Sequence, residues 1–472
     1  MNPGNERGGE SPKPGETADR RVTAGLGLLL VILAFGVRVA FVPCHRFAPE
    51  RTLTPDSAAY LELGRNLADR GVFGRGADAA HHSPENPSSI EVFRTPGYPV
   101  VLAAFVRLNV APVPAAVTLQ IVLDVVAVVF AFLLALTMMP PRWAFAVGMV
   151  LVVDVARVVY ANMVMSDVVF TFLISAALCL AVGGVGRSSA PRILLAGIAL
   201  SLATAVRPVG LLAVVPFGVF LGVRRAGSRL VVLFALTAVA FPFAWTVRNG
   251  MSTGLWVVSN AFEYNLCLVA AAKVKARAEG IPRTEAQRVL VDSAIGLSPG
   301  GDLASRSAAF RRVGWQTLSR YPAATAREAV WCCLEITLAG ERRNLLRLFG
   351  APGGGDTVAA VGETARGPSA GAAALAQRDT LEAILVVTQL FWNGLLSVFA
   401  VVGAVKLARH RRWPELILFG LTVVAILGPS LVVANGRMRM PVSPIVALLA
   451  IYGLWKSARH DRSLPGGSVL EL

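Results

Sequence analysis

Long apolar runs separated by short basic stretches dominate the chain. A helix that crosses the hydrocarbon core of a bilayer needs about 20 apolar residues. Runs of this kind lie near 22–42, 116–138, 143–160, 167–184, 192–206, 209–223, 230–248, 381–405, 414–434 and 441–456. The pattern predicts an all-α polytopic membrane helix bundle of about ten transmembrane helices, with both chain termini on the same side.

Two longer polar segments interrupt the apolar pattern. The first outer loop, 43–115, contains an amphipathic stretch at 57–70 and an apolar one at 97–108. The large outer loop, 249–380, has helical periodicity near 284–296, 303–320 and 322–348, followed by a Gly/Ala-rich stretch at 351–376. That stretch and residues 1–19 have the composition of disordered segments. We therefore predict one membrane domain over 20–456, with cytoplasmic tails at 1–19 and 457–472.

Composition supports the membrane class. Hydrophobic residues make up 55% of the chain, charged residues 16%, and the mean hydropathy is +0.61, whereas soluble proteins average about 25% charged residues. The net charge of +16 could suit a nucleic-acid partner, but the basic residues follow apolar runs rather than forming polar arms, so we predict none. Five cysteines without metal-ligand spacing predict neither a zinc site nor a disulfide framework.

The distribution of basic residues predicts the orientation. Short loops on the cytoplasmic side of a membrane protein are enriched in Lys and Arg. The short loops assigned to that side contain Arg142, Arg187, Arg192, Arg224, Arg225, Arg229, Lys406, Arg409, Arg411 and Arg412. Those assigned to the outer side contain only Arg207, Arg437 and Arg439. Both termini are therefore predicted to be cytoplasmic.

Arginines on the outer side are candidates for ligand binding. Besides those three, Arg248 ends the seventh run and Arg94 lies in the first outer loop. A guanidinium group binds phosphate oxygens bidentately and keeps its charge at physiological pH. Several of them at one membrane face could hold the phosphate or diphosphate of a lipid. The alternative is that each marks a helix end or extends to the interface.

Two carboxylates lie at the same face. Asp56 opens the amphipathic stretch of the first outer loop, and Asp167 opens the fourth run. Either could cap a helix N-terminus. Beside arginines, either could instead deprotonate an acceptor hydroxyl, and position alone favours neither interpretation.

Other ionisable residues are interpreted as structural. Arg38, Asp124, Asp154 and Arg157 fall within predicted spans, where charges are usually paired. Asp154 and Arg157 could neutralise each other, while Asp124 needs a partner from another helix. The polar group His81, His82, Glu85 and Glu91 matches no standard set of metal ligands.

Several short motifs follow one another along the chain. They are Pro55-Asp56-Ser57 through Tyr60 and Asn66-Leu67, Phe93-Arg94-Thr95-Pro96-Gly97-Tyr98-Pro99, Ser166-Asp167, Arg207-Pro208 with Gly210, Pro242 through Arg248-Asn249, Ser259-Asn260 through Asn265-Leu266, and Gly436-Arg437-Met438-Arg439-Met440-Pro441 with Pro444. In this order they resemble the GT-C membrane glycosyltransferases of the protein mannosyltransferase and aminoarabinose transferase type. The family often has two adjacent acidic residues in its first loop, whereas this chain has Asp56-Ser57. That departure makes a divalent metal less expected.

The resemblance implies an inverting glycosyltransferase of the bacterial inner membrane. Its donor would be a polyprenyl-phosphate-linked sugar and its acceptor an envelope lipid, glycan or protein, with the active site on the outer face and no cofactor. Asp56 and Asp167 would be catalytic, with Asp56 as general base. The leaving phosphate would be held by Arg94, Arg207, Arg248, Arg437 and Arg439, and the cleft shaped by Tyr60, Pro96 and Tyr98.

Two other functions share the hydropathy pattern. A transporter or lipid flippase would usually show repeated halves and short loops throughout, whereas this sequence shows no repeat and has most of its polar residues in two large outer loops. An O-antigen-ligase-like envelope protein would need a basic outer loop but not Asp56, so Asp56 distinguishes the glycosyltransferase from this class.

Overall fold

The computed structural model describes residues 14–75, 90–186, 188–350, 380–429 and 436–456. Within these ranges the regular elements are helices, and extended pairing is limited to one isolated bridge between Gly74 and Ile90. The predicted all-α class is therefore confirmed. His81, His82, Glu85, Arg187, the 351–376 stretch, residues 1–13 of the N-terminal tail and the C-terminal tail lie outside the described residues.

The helices of the first half are α1 Pro14–Val39, α2 Val42–His45, α3 Pro55–Arg70, α4 Gly97–Arg107, α5 Pro112–Leu136, α6 Pro141–Val152, α7 Val155–Ala161, α8 Asp167–Gly186, α9 Ala190–Val206, α10 Gly210–Val223 and α11 Ser228–Thr253. Those that follow are α12 Ala261–Asn265, α13 Ala272–Glu279, α14 Arg283–Leu297, α15 Leu303–Arg320, α16 Pro322–Leu338, α17 Arg342–Leu348, α18 Thr380–Arg409, α19 Trp413–Leu427 and α20 Ser443–Leu454. Short 3-10 turns cover Pro49–Thr52 and Gly436–Val442, and a π-helical segment covers Leu266–Ala271.

Each of the ten predicted spans overlaps a helix within the described residues, but the helices differ in length. Among the described residues, five are long and apolar enough to cross a membrane: Asp19–His45, Pro112–Leu136, Asp167–Gly186, Ser228–Thr253 and Ala383–Arg409. A sixth crossing would combine α6 and α7, which meet at an angle of 58°. The remaining apolar helices of the bundle, α9, α10, α19 and α20, have 17, 14, 15 and 12 residues. At about 1.5 Å per residue they are shorter than a hydrocarbon core of about 30 Å.

Buried charges join three helices of the bundle. The Asp124 carboxylate on α5 lies 2.7 Å from the Arg38 guanidinium on α1 and 2.6 Å from that of Arg157 on α7. All three side chains are fully buried. As predicted, Asp124 finds its partners on other helices. Asp154 does not pair with the Arg157 guanidinium but accepts hydrogen bonds from the backbone N–H groups of Ala156 and Arg157, which caps α7 and separates it from α6.

The large outer loop folds into a helical layer against the bundle. Helices α12 to α15 enclose a small core that includes Cys267, Leu290 and Phe310. Helix α16 packs against α18 and against the Gly436–Val442 turn. This packing brings the end of the large outer loop beside the segment that contains Arg437.

Candidate active site

A capping box fixes the start of α3 and leaves the Asp56 side chain available. Thr54 is the N-cap: its hydroxyl accepts from the Ser57 N–H, while the Ser57 hydroxyl accepts from the Thr54 N–H. This reciprocal arrangement satisfies two backbone donors. Ser57 also donates to the Val164 carbonyl at 2.7 Å. The capping role considered for Asp56 thus belongs to its neighbours.

Asp56 lies between two guanidinium groups. Arg94 Nη2 is 3.0 Å from Asp56 Oδ1, and Arg437 Nη1 is 3.0 Å from Asp56 Oδ2. Burial alone would raise the pKa of Asp56, but Arg437 and Arg94 outweigh it and hold that pKa below its ordinary value. The side chain is 36% exposed, so the carboxylate can be reached from outside.

A second aspartate of the site also forms an ion pair with an arginine. Asp167, in the first turn of α8, forms an ion pair with Arg207, which immediately follows α9. Among the described contacts, Asp167 Oδ2 is buried without a hydrogen-bond partner. Arg207 also contacts the sulfur of Met438, the residue after Arg437. We call Asp56, Arg94, Asp167, Arg207 and Arg437 the arginine–aspartate cluster.

Aromatic residues connect the two halves of the arginine–aspartate cluster. The Tyr60 hydroxyl is 3.1 Å from that of Ser166, and the Arg94 guanidinium lies over the Tyr60 ring. Tyr98 is buried, packs edge-on against Tyr60 and donates to the Gln120 side chain at 2.6 Å. The predicted cleft residues Tyr60 and Tyr98 therefore lie beside Asp56 and Asp167.

A glycine sets how closely the first outer loop approaches the bundle. Pro96 is buried and precedes α4 as its N-cap. A Cβ atom on Gly97 would lie only 2.6 Å from the carbonyl oxygen of Ala205, near the end of α9. This close contact holds the predicted Pro96 segment against the residues that lead into Arg207.

The remaining two predicted arginines lie outside the arginine–aspartate cluster. Arg439 donates to the Thr337 carbonyl at 2.7 Å and to the Asn393 side chain at 3.0 Å. Arg248 contacts the Glu91 carbonyl and stacks on Trp245, with its guanidinium carbon 4.7 Å from the ring centroid. Glu91 in turn accepts from the Arg94 N–H at 2.9 Å. Arg248 thus supports the loop that presents Arg94.

Glu341 is a site residue that the sequence interpretation missed. The predicted helix over 322–348 breaks at Ala339, and Glu341 follows the break, buried beside the 436–442 turn. It accepts from the Tyr160 hydroxyl at 2.8 Å and from the Asn344 amide at 3.1 Å. One acidic residue in a polar loop carries no pattern that marks it for burial, so no sequence signal identified it.

The carboxylates of the arginine–aspartate cluster do not form a good set of metal ligands. Both oxygens of Asp56 face guanidinium groups, and Asp167 is paired with Arg207. A divalent cation prefers several oxygen ligands free of competing positive charge. Within the described ranges no group of three or more His, Cys, Asp or Glu residues could hold a metal ion.

Comparison with known proteins gives structural neighbours only. No protein-family model matches the chain, and no curated protein matches it in sequence. The oligosaccharyltransferase of Archaeoglobus fulgidus in its apo form aligns with a TM-score of 0.46 and 13% identity over 90% of this chain and 50% of that one. ArnT from Cupriavidus metallidurans bound to undecaprenyl phosphate aligns with a TM-score of 0.36 and 13% identity over 94% and 78%.

The chain spans about half the length of the oligosaccharyltransferase. With TM-scores below 0.5, these similarities by themselves assign no activity to this chain. We therefore base its function on the geometry of the arginine–aspartate cluster.

Proposed function

We propose that this protein is an integral-membrane glycosyltransferase. It moves a sugar from a polyprenyl-phosphate donor to an acceptor lipid, glycan or protein of the cell envelope, on the outer face of the membrane. The observation that carries the proposal is the position of Asp56, a reachable carboxylate between Arg94 and Arg437 with the Asp167–Arg207 pair behind it. The order of sequence motifs that resemble GT-C enzymes supports the same function.

The proposed reaction uses both kinds of group in the arginine–aspartate cluster. The acceptor oxygen forms a bond to the anomeric carbon as the bond from that carbon to the phosphate oxygen breaks, with inversion. The acceptor proton passes to Asp56. Negative charge grows on the departing phosphate, where Arg94, Arg437 and Arg207 stabilise it. A well-placed donor of this kind contributes about 3 kcal/mol to the transition state.

The test is glycosyl transfer by the purified protein with Asp56→Asn. We expect the variant to bind the polyprenyl-phosphate sugar but to lose at least about 100-fold in transfer rate, since general base catalysis contributes about 10²–10⁴-fold. Donor binding and transfer are measured separately, by equilibrium binding and by product formation.

Asp69→Asn is the matched control. Asp69 lies on α3 too, but on its exposed last turn, so this variant should keep wild-type transfer. If Asp56→Asn transferred sugar at the wild-type rate, the catalytic role of Asp56 would be wrong. A wild-type protein that transfers no sugar from any polyprenyl-phosphate donor would contradict the proposed function itself.

A further inference from the structure

Glu341 is buried among polar side chains near the arginine–aspartate cluster. It is 8% exposed, and its carboxylate accepts from Tyr160 on α7 and Asn344 on α17. The absence of a side chain at Gly436 lets its backbone approach Glu341 closely. A Cβ atom there would lie 2.8 Å from the Ala339 carbonyl oxygen and 3.3 Å from Glu341 Oε1. The next residue along that turn is Arg437, so one backbone segment contacts Glu341 and belongs to the arginine–aspartate cluster.

Charged groups lie on several of the elements around Glu341, and α7 and α18 contribute the neutral side chains of Tyr160 and Gln389. The turn contributes Arg437, and the start of α8 contributes Asp167, both near enough to influence its ionisation. On α17, Arg342 is buried and Arg347 donates to the Leu53 carbonyl. The 49–52 turn contributes Arg51, which donates to the Cys44 carbonyl.

The protonation state of Glu341 changes the net charge of this region by one unit. The arginine–aspartate cluster has two carboxylates and three guanidinium groups, and Glu341 is a third carboxyl group beside it. When Glu341 takes up a proton, the region becomes more positive by one charge. That change equals the single negative charge of a phosphodiester.

The pKa of Glu341 lies near physiological pH, so its charge can change under physiological conditions. Burial raises the pKa of Glu341 to about 7, although the hydrogen bonds from Tyr160 and Asn344 and the nearby Arg437 favour the charged form. A carboxyl group with this pKa exchanges its proton under physiological conditions.

We propose that Glu341 is a positioning residue that takes up a proton when Arg437 binds the donor phosphate. The inference rests on the proposed function, because it takes the phosphodiester of the lipid-linked donor as the ligand. By linkage, an anion that raises the proton affinity of Glu341 must itself bind more weakly as the pH rises. If binding raises the pKa of Glu341 by one unit, affinity at pH 8 should be about fivefold lower than at pH 6.

The experiment is isothermal titration calorimetry of the full chain in lipid nanodiscs with farnesyl methyl phosphodiester. This probe has no titrating phosphate between pH 6 and 8. Parallel titrations in buffers of different ionisation enthalpy count the protons taken up. We expect uptake near pH 7 and the loss of affinity toward pH 8.

Glu341→Gln should bind without proton uptake and with the same affinity at both pH values. Glu328→Gln is the matched control, since Glu328 is another buried glutamate but pairs with Arg277 on the large outer loop; it should keep the wild-type pH dependence. Tyr160→Phe offers a second test that keeps the carboxyl group. Loss of its hydrogen bond disfavours the charged form, so the pH dependence should move to higher pH.

Binding by the wild type that is independent of pH, or a pH dependence that survives in Glu341→Gln, would overturn the coupling while leaving the proposed function intact. Failure of the wild type to bind the phosphodiester at any pH would overturn both.

Discussion

At the scale of single residues, the pairing of Asp56 raises a chemical question. Arg94 and Arg437 hold the pKa of Asp56 low, and a carboxylate stabilised in this way is a weak base. Both guanidinium groups are also the ones best placed for the donor phosphate. A phosphate that draws them away from Asp56 would raise the basicity of Asp56 when the donor is bound. The carboxylate thus occupies, in the free protein, the position of the anion that the site is proposed to bind.

Removal of one guanidinium should move the pH dependence of transfer. The proposed base must be ionised, so the acid limb of the wild-type kcat/KM profile should appear only near and below the lowered pKa of Asp56. In Arg94→Gln that pKa rises, by about one unit or more for the loss of a neighbouring opposite charge, and the acid limb should move to higher pH by the same amount. The profile of kcat/KM reports the free enzyme. Arg439→Gln is the control, because the Arg439 guanidinium contacts Thr337 and Asn393 rather than Asp56, and it should leave the acid limb in place. If the acid limb did not move in Arg94→Gln, Asp56 could not be the base.

The sequence predicts those residues of the candidate site that lie within recognisable motifs. Their positions on the outer side predict Asp56, Arg94, Arg207 and Arg437 as site residues, and the structure brings these four close together. Glu341 could not be predicted, because its burial depends on Tyr160, which precedes it by 181 residues. The separation of Arg439 from the arginine–aspartate cluster depends likewise on Asn393 of another helix.

At the scale of the helices, local signals set most boundaries and tertiary contacts set the exceptions. Helix α15 has its predicted bounds, since Asp302 caps its first turn through the Ser305 N–H. The predicted 322–348 helix is instead divided after Leu338. There the Asn393 amide of α18 donates to the carbonyl groups of Leu338 and Ala339, which satisfies the end of α16 from outside its own sequence.

The Arg38–Asp124–Arg157 group should stabilise the packing of α1, α5 and α7. In Asp124→Asn, two fully buried guanidinium groups lose their shared counter-charge. Breaking a buried ion pair from one side costs about 3–5 kcal/mol. Asp154→Asn is the control, because Asp154 caps α7 and Asn caps a helix about as well as Asp, so its loss of stability should be smaller. Thermal unfolding in detergent should therefore show a larger decrease in Tm for Asp124→Asn; equal decreases would contradict a structural role for this group.

At the scale of the whole molecule, the two ends of the bundle have different charge chemistry. At one end, Arg224 and Arg412 both donate to the buried Glu415, which joins two of the loops predicted to be cytoplasmic. At the other end lie the arginine–aspartate cluster and the large outer loop. This separation agrees with the excess of Lys and Arg in the short loops predicted to be cytoplasmic. Residues at the two ends can therefore be used to test the predicted orientation.

Cysteine labelling of intact cells should distinguish the two ends. Cys333 is the one exposed native cysteine among the five, so Cys333→Ser serves as the background. Ala308→Cys, on an exposed position of α15, should react with a membrane-impermeant maleimide in intact cells, because the large outer loop is predicted to lie outside. Arg409→Cys, exposed at the end of α18, should react only after the membrane is permeabilised. The reverse pattern would place the arginine–aspartate cluster on the cytoplasmic face, where a donor already carried across the membrane could not reach Asp56.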